Sequence, residues 1–177
     1  VFVIVPALAE RLAPMIPPER AAQLGDAVLE RIRPLMGAGG VCEAPAGRAA
    51  LDRMTARLLP HAGIEGEMRV EVWRGGMINA FAAPGGRVVI LEGLIDAAGT
   101  PEEVAAVLAH EFGHVAARDP LREALRRAGT AGLIGLFVGD FLGGAVVAGT
   151  AEAAISAAYS REAEPAARPR RAAQLVG

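Results

Sequence analysis

Apolar residues recur every three to four positions in the first third of the chain and then every second position. Leu24, Val28, Ile32 and Leu35 predict a helix over residues 18–36, ended by Gly37 with Gly39 and Gly40 beyond. Ala50, Leu51, Met54 and Leu58 predict a second helix over 46–59 that stops before Pro60 and Gly63. From Met68 the period changes. Met68, Val70 and Val72 alternate with Arg69, Glu71 and Arg74, the signature of a half-buried strand. Gly75 and Gly76 predict a turn, residues 78–82 a second short strand, Pro84, Gly85 and Gly86 a tight turn, and residues 87–91 a third strand. The expected arrangement is a small antiparallel meander between helices.

The strongest helix signal starts at Thr100. Thr100 with Glu103 reads as a capping box, and Pro101 stands at the first helical position, where its missing N–H costs nothing. This helix is expected to run to about residue 118 and stop before Pro120, with a further helix over 122–127. Residues 129–158 are rich in Gly and Ala, with only Asp140 and Glu152 charged. Their length would suit a bilayer span, but Asp140 and the glycines at 139, 143, 144 and 149 favour an apolar loop or hairpin near the site. The opening residues, broken by Pro14, Pro17 and Pro18, are too short to span. They read either as the end of a preceding membrane segment or as a helix packed on the domain. The chain starts at Val1 rather than Met, as a processed or excised chain would.

Within the capped helix stands His110-Glu111-Phe112-Gly113-His114, an HExxH sequence. Residues four apart lie on one helical face, so both imidazoles can reach one metal ion. Glu111 is then placed to take a proton from a water that zinc makes acidic. A catalytic zinc needs a third protein ligand. His61, Glu162 and Glu164 are the candidates, and spacing does not choose among them.

Composition narrows the remaining choices. A chain of 177 residues suits one domain, and 53% hydrophobic against 21% charged residues excludes a disordered polar chain. A net charge of -2 argues against a nucleic-acid partner. Cys42 is the only cysteine, which excludes an internal disulfide and a multi-cysteine zinc site. The organisation is one domain, 1–177: a helical part over 1–62, sheet and HExxH helix over 66–119, the apolar insert 129–158, and a third-ligand helix and tail over 159–177.

These segments together resemble the HtpX-like zinc metalloproteases, the group that includes the CAAX prenyl-protein proteases. Asn79, Ala80, Phe81, Ala82, Ala83, Pro84, Gly85 and Gly86 are similar to its NAFA-x-PGG segment. Gly93 and Leu94 follow, Pro101 to Leu108 leads into the HEFGH, and Tyr159, Ser160, Arg161, Glu162, Ala163 and Glu164 are similar to its YSRxxE. The likeness spans about residues 77–164 and implies an α+β, zincin-like fold, mainly helical with a small antiparallel sheet on the HExxH helix. It implies zinc, one ion per chain, held by His110, His114 and Glu164, with Glu111 as general base. Asn79, Ala80, Phe81 and Ala82 would form an edge strand that binds an extended peptide by strand addition. Arg161 would pair with a carboxylate near the site, and Tyr159 would either donate to the oxyanion or sit in the core.

The resemblance also implies an endopeptidase of polypeptides in membrane or envelope quality control. It would be bacterial and membrane-associated or periplasmic, with the cytoplasmic face left open. Membrane contact would run through a preceding segment or the 129–158 insert. One departure stands out. The family motif continues to an Asp four residues after the third ligand, where this chain has Arg168, and Pro165 disfavours helical geometry at Glu164. That keeps alive a second reading, a zincin-fold module that binds peptides or membrane proteins through a degenerate metal site. A third, a small membrane-active protein built on 129–158, would need detergent to stay in solution.

Overall fold

The computed structural model describes residues 9–64 and 66–138. Helix α1 spans Pro18–Leu35 and α2 spans Pro45–Ala62. Three strands follow, β1 (Arg69–Trp73), β2 (Ala80–Ala83) and β3 (Arg87–Leu91), and then a short α3 (Glu92–Ala97). Helix α4 spans Pro101–Ala116 and α5 spans Asp119–Val138. Tyr159, Arg161, Glu162, Glu164, Pro165 and Arg168 lie outside the described residues, as does most of the 129–158 insert.

The sheet is mixed, which corrects the antiparallel meander. Its order is β1-β3-β2, with β1 parallel and β2 antiparallel to β3. Gly75 and Gly76 do not make a tight turn between neighbours. They open a crossover that passes the end of β3, pinned by Leu91 N–H donating to the Asn79 carbonyl (2.9 Å) and Gly93 N–H to the Gly75 carbonyl (2.8 Å). A β-carbon on Gly93 would lie 2.4 Å from the Gly76 carbonyl oxygen, so the loop can lie this close only over a glycine.

Both sheet faces are covered, and the two-residue period sorts side chains between them. Val70, Ala80, Val88 and Ile90 pack with Leu51 of α2 and with Val104, Leu108 and Phe112 of α4. Trp73, Phe81, Val89 and Leu91 pack on the other face with Leu24, Val28 and Ile32 of α1 and Leu121 and Leu125 of α5. All five residues of β3 are buried, as a central strand between two layers should be. Strand β1 is therefore not half-buried. Glu71 is 5% exposed because its partners enclose it: Trp73 Nε1 donates to it at 2.8 Å, and Arg69 and Arg33 stand at 2.6 and 3.6 Å.

Several helix ends differ from expectation. Helix α2 continues through Pro60 to a left-handed Gly63, because a proline in the last turn removes only one bond from the ladder. The capping box at Thr100 is displaced. The Glu103 N–H is already held by the Thr100 carbonyl (3.2 Å), and the Glu103 carboxylate accepts from Gly99 N–H (2.9 Å) while the Thr100 hydroxyl caps nothing. Helix α5 breaks at Gly129 (φ 58°, ψ -151°) and then stays helical to Val138, where an apolar loop was expected. The sequence there, with Leu133, Ile134, Leu136 and Phe137, has no breaker stronger than glycine. Among the described residues no helix is long and apolar enough to cross a membrane. Ala9, Ala13 and Ile16 are buried in the same core as α1, so this part of the N-terminal segment packs on the domain.

Helix α1 crosses the β2–β3 turn at backbone contact. A β-carbon on Gly25 would lie 2.1 Å from the Pro84 carbonyl oxygen, and Gly85 (φ 70°) leaves no room against Ala22. Gly25→Ala should therefore destabilise the fold by roughly 1–3 kcal/mol, the usual range for overpacking. Urea unfolding checks this; an unchanged midpoint would show that the helix can lift away at no cost.

The same contact carries a paired charge. Arg87 Nε and Nη2 donate to the two oxygens of Asp26 at 2.8 and 3.0 Å. The Arg87 hydrogen bond holds the Asp26 carboxyl below its usual range, against the opposing effect of partial burial. A carboxyl depressed in the folded state contributes stability that is present at neutral pH and lost as pH falls below about 4 towards its folded value. Asp26 is 42% exposed, so the contribution is modest. Asp26→Asn should flatten the acid limb of the stability curve, as measured by urea midpoints between neutral and acid pH; an identical slope in both proteins would refute it.

Candidate metal centre

The HExxH helix is held by its buried stripe. Val104, Leu108, Glu111 and Phe112 face inward, with Leu108 and Phe112 fully buried against the sheet. The two histidines fall on the opposite side, His110 exposed and His114 half-buried. Their Nε2 atoms stand 3.1 Å apart and the rings cross edge to face at 88°. Two nitrogens about 2.0–2.1 Å from one tetrahedral zinc would be roughly 3.3 Å apart, so the pair fits the ion closely.

His114 is oriented from behind. Its Nδ1 and Asp119 Oδ2 are 2.9 Å apart. With Nδ1–H donating to this carboxylate, the lone pair of Nε2 points to the space shared with His110. A carboxylate behind a ligating imidazole fixes the tautomer and raises the basicity of the ligand. Asp119 escapes a sequence reading that ends with the helix. Its signal is local: an Asp-Pro start to the next helix, five residues after the second histidine.

The α4–α5 corner creates this arrangement. Helix α4 closes with Ala117 N–H donating to Gly113 (3.0 Å) and Arg118 N–H to Val115 (2.9 Å). Arg118 then takes a left-handed conformation (φ 56°), which turns the chain so that Asp119 returns beside His114. Glycine is the usual residue at such a position.

Glu111 is 1% exposed and lies in the stripe between helix and sheet. His61 sits in the last turn of α2 and is exposed; among the described residues no group of three His, Cys, Asp or Glu side chains could hold a metal. His61 is therefore not brought to the histidine pair among the described residues. Asn79, Ala80 and Phe81 are buried and Ala82 is half-buried. The Asn79 carboxamide oxygen accepts from Ala80 N–H (2.9 Å), and its Nδ2 is a buried donor with no hydrogen bond among the described residues.

Helix α4 thus presents two convergent imidazoles spaced to hold one metal ion, over a small mixed sheet. Residues 45–169 match peptidase family M48, and the chain belongs to that family, which contains the HtpX and CAAX protease-like zinc metalloproteases. The chain is accordingly a metallopeptidase, a hydrolase whose substrates are polypeptides. The matched range takes in Glu164, Pro165 and Arg168 as well as the HExxH helix. No curated protein matches the chain.

Proposed function

We propose that the chain is a zinc-dependent endopeptidase. The observation that carries this is the 3.1 Å approach of the His110 and His114 Nε2 atoms on one face of α4. The two imidazoles would hold the ion, and Glu164 would complete the set. When bound, zinc supplies a Lewis acid for a carbonyl oxygen and makes water acidic near neutral pH.

The protein's own groups do the rest. Glu111 takes the proton of the attacking water and returns it to the leaving amine, so it needs no second acid. Strand β2 has one sheet neighbour among the described residues, β3; Ala80 N–H already donates to Asn79 Oδ1, so an extended substrate would add along the strand beyond Ala80. The Nδ2 of Asn79 at the start of this strand, which has no hydrogen bond among the described residues, is a donor that a substrate carbonyl could satisfy. Tyr159 and Arg161 would assist at the oxyanion and at a nearby carboxylate.

The proposed setting is bacterial, membrane-associated or periplasmic, with damaged membrane or envelope proteins as substrates. Its support is the likeness to the HtpX-like proteases together with the apolar sequence that follows Gly129. Cleavage of an unfolded polypeptide by the zinc-loaded chain, stopped by a chelator and restored by zinc, tests the activity; cleavage indifferent to chelator would refute it. The binding-module reading is favoured by Pro165 and Arg168 in the third-ligand motif, and binding without cleavage in added zinc would select it.

A further inference from the structure

The metal-side histidine is tied to the segment ahead of α1 through alternating charges. His114 Nδ1 meets Asp119 Oδ2 at 2.9 Å, and the other Asp119 oxygen faces Arg122 Nη1 at 3.6 Å. Arg122 Nε lies 3.1 Å from Glu10 Oε2, an ion-pair contact that lacks hydrogen-bond geometry, and the second Glu10 oxygen pairs with Arg126 Nη2. One carboxylate near the start of the chain thus closes a series of imidazole, carboxylate, guanidinium and carboxylate.

The strained corner grips the same segment. Arg118 keeps a left-handed backbone that a residue with a β-carbon adopts only at a cost. Its guanidinium supplies a reason: Nη1 donates to the carbonyls of Ala13 (3.1 Å) and Pro14 (3.4 Å). A glycine here would relieve the backbone and lose both bonds. Ala9 and Ala13 are fully buried, so the segment itself is fixed to the core.

We propose that residues 10–14 position the metal-binding histidine. Glu10 holds Arg122 by charge, Arg122 holds the second oxygen of Asp119 in the same way, and the hydrogen bond from Asp119 fixes the tautomer and rotation of the His114 ring. Asp119 and Glu10 are positioning residues; neither needs to touch substrate. This rests on the zinc-peptidase reading above and adds to it a dependence of the metal site on chain far from the HExxH motif.

The test uses the full chain and zinc alone as probe, with chelator competition on wild type, Glu10→Gln, Asp119→Asn and the double variant. Glu10 and Asp119 are 40% and 48% exposed, so neither substitution should unfold the protein. Asp119→Asn is expected to weaken zinc affinity about 10- to 100-fold. Glu10→Gln, a surface ion pair acting at one remove, is expected to weaken it about two- to five-fold. The double variant should bind no more weakly than Asp119→Asn, because Glu10 acts through Asp119. Ring 15N shifts of neutral His114 in the metal-free chain give a second readout: wild type should hold the Nδ1–H tautomer, and both variants should shift it towards Nε2–H.

The proposal is overturned if Glu10→Gln lowers the thermal midpoint yet leaves zinc affinity and the His114 shifts unchanged. It is also overturned if Glu10→Gln keeps its full effect in the Asp119→Asn background. A wild-type chain that binds no zinc would overturn the peptidase reading instead, and the 15N shifts would then decide the positioning role alone.

Discussion

Replacing Glu111 by Gln is expected to leave zinc bound and to lower peptide-bond hydrolysis by about 10²–10⁴-fold, the range for loss of a general base. The amide keeps the shape of the carboxylate. Glu111 is among the fully buried side chains of the chain, so a shape-preserving substitution isolates the chemistry from the packing. Glu111→Ala would confound the two, because truncation within the stripe of Val104, Leu108 and Phe112 leaves a cavity under the helix. Zinc content by elemental analysis, beside turnover on an unfolded polypeptide, separates the cases. Turnover near the wild-type rate in Glu111→Gln would remove Glu111 from the mechanism.

Glu164→Ala is expected to lose most of its zinc where the wild-type chain holds about one ion. The reasoning is by ligand count. A catalytic zinc takes three protein ligands and keeps one position open. His110 and His114 would supply two, and among the described residues no group of three potential ligands is found. Equal zinc in both proteins would move the role to Glu162 or elsewhere beyond Val138. Absence of zinc from both, even after reconstitution, would point to a degenerate centre and favour the binding-module reading, with Arg168 in place of the expected Asp as the natural cause. The wild-type measurement therefore bears on the enzyme assignment itself, and the variant on the identity of its third ligand.

The sequence carried the HExxH helix almost completely, because its signals are local. A proline at the first helical position, apolar residues at helical spacing and two histidines one turn apart all lie within 16 residues. The sheet was legible in its period but not in its order. Alternation reports which face a side chain takes; it does not report which strand lies next door. Gly75 and Gly76 look the same in a hairpin turn and in a crossover, and only the bonds from Leu91 and Gly93 distinguish the two. Glu71 misled for a related reason. A carboxylate at an alternating position reads as outward, but Trp73, Arg69 and Arg33 together repay its burial. Asp119 was hidden by distance from any motif: its role exists only once the chain has turned at Arg118.

The two faces of α4 have different consequences for descent. The apolar stripe holds the helix to the sheet, while the histidines stand on the far side and take no part in the core. Substitutions at exposed positions usually change stability by no more than about 0.5 kcal/mol. A lineage could therefore exchange both imidazoles and still inherit a folded domain, so that catalysis can be lost without the scaffold being lost. Glu111 is the exception: its side chain belongs to the packing and, in the proposed mechanism, to the chemistry as well, so drift at that one position would be felt by both.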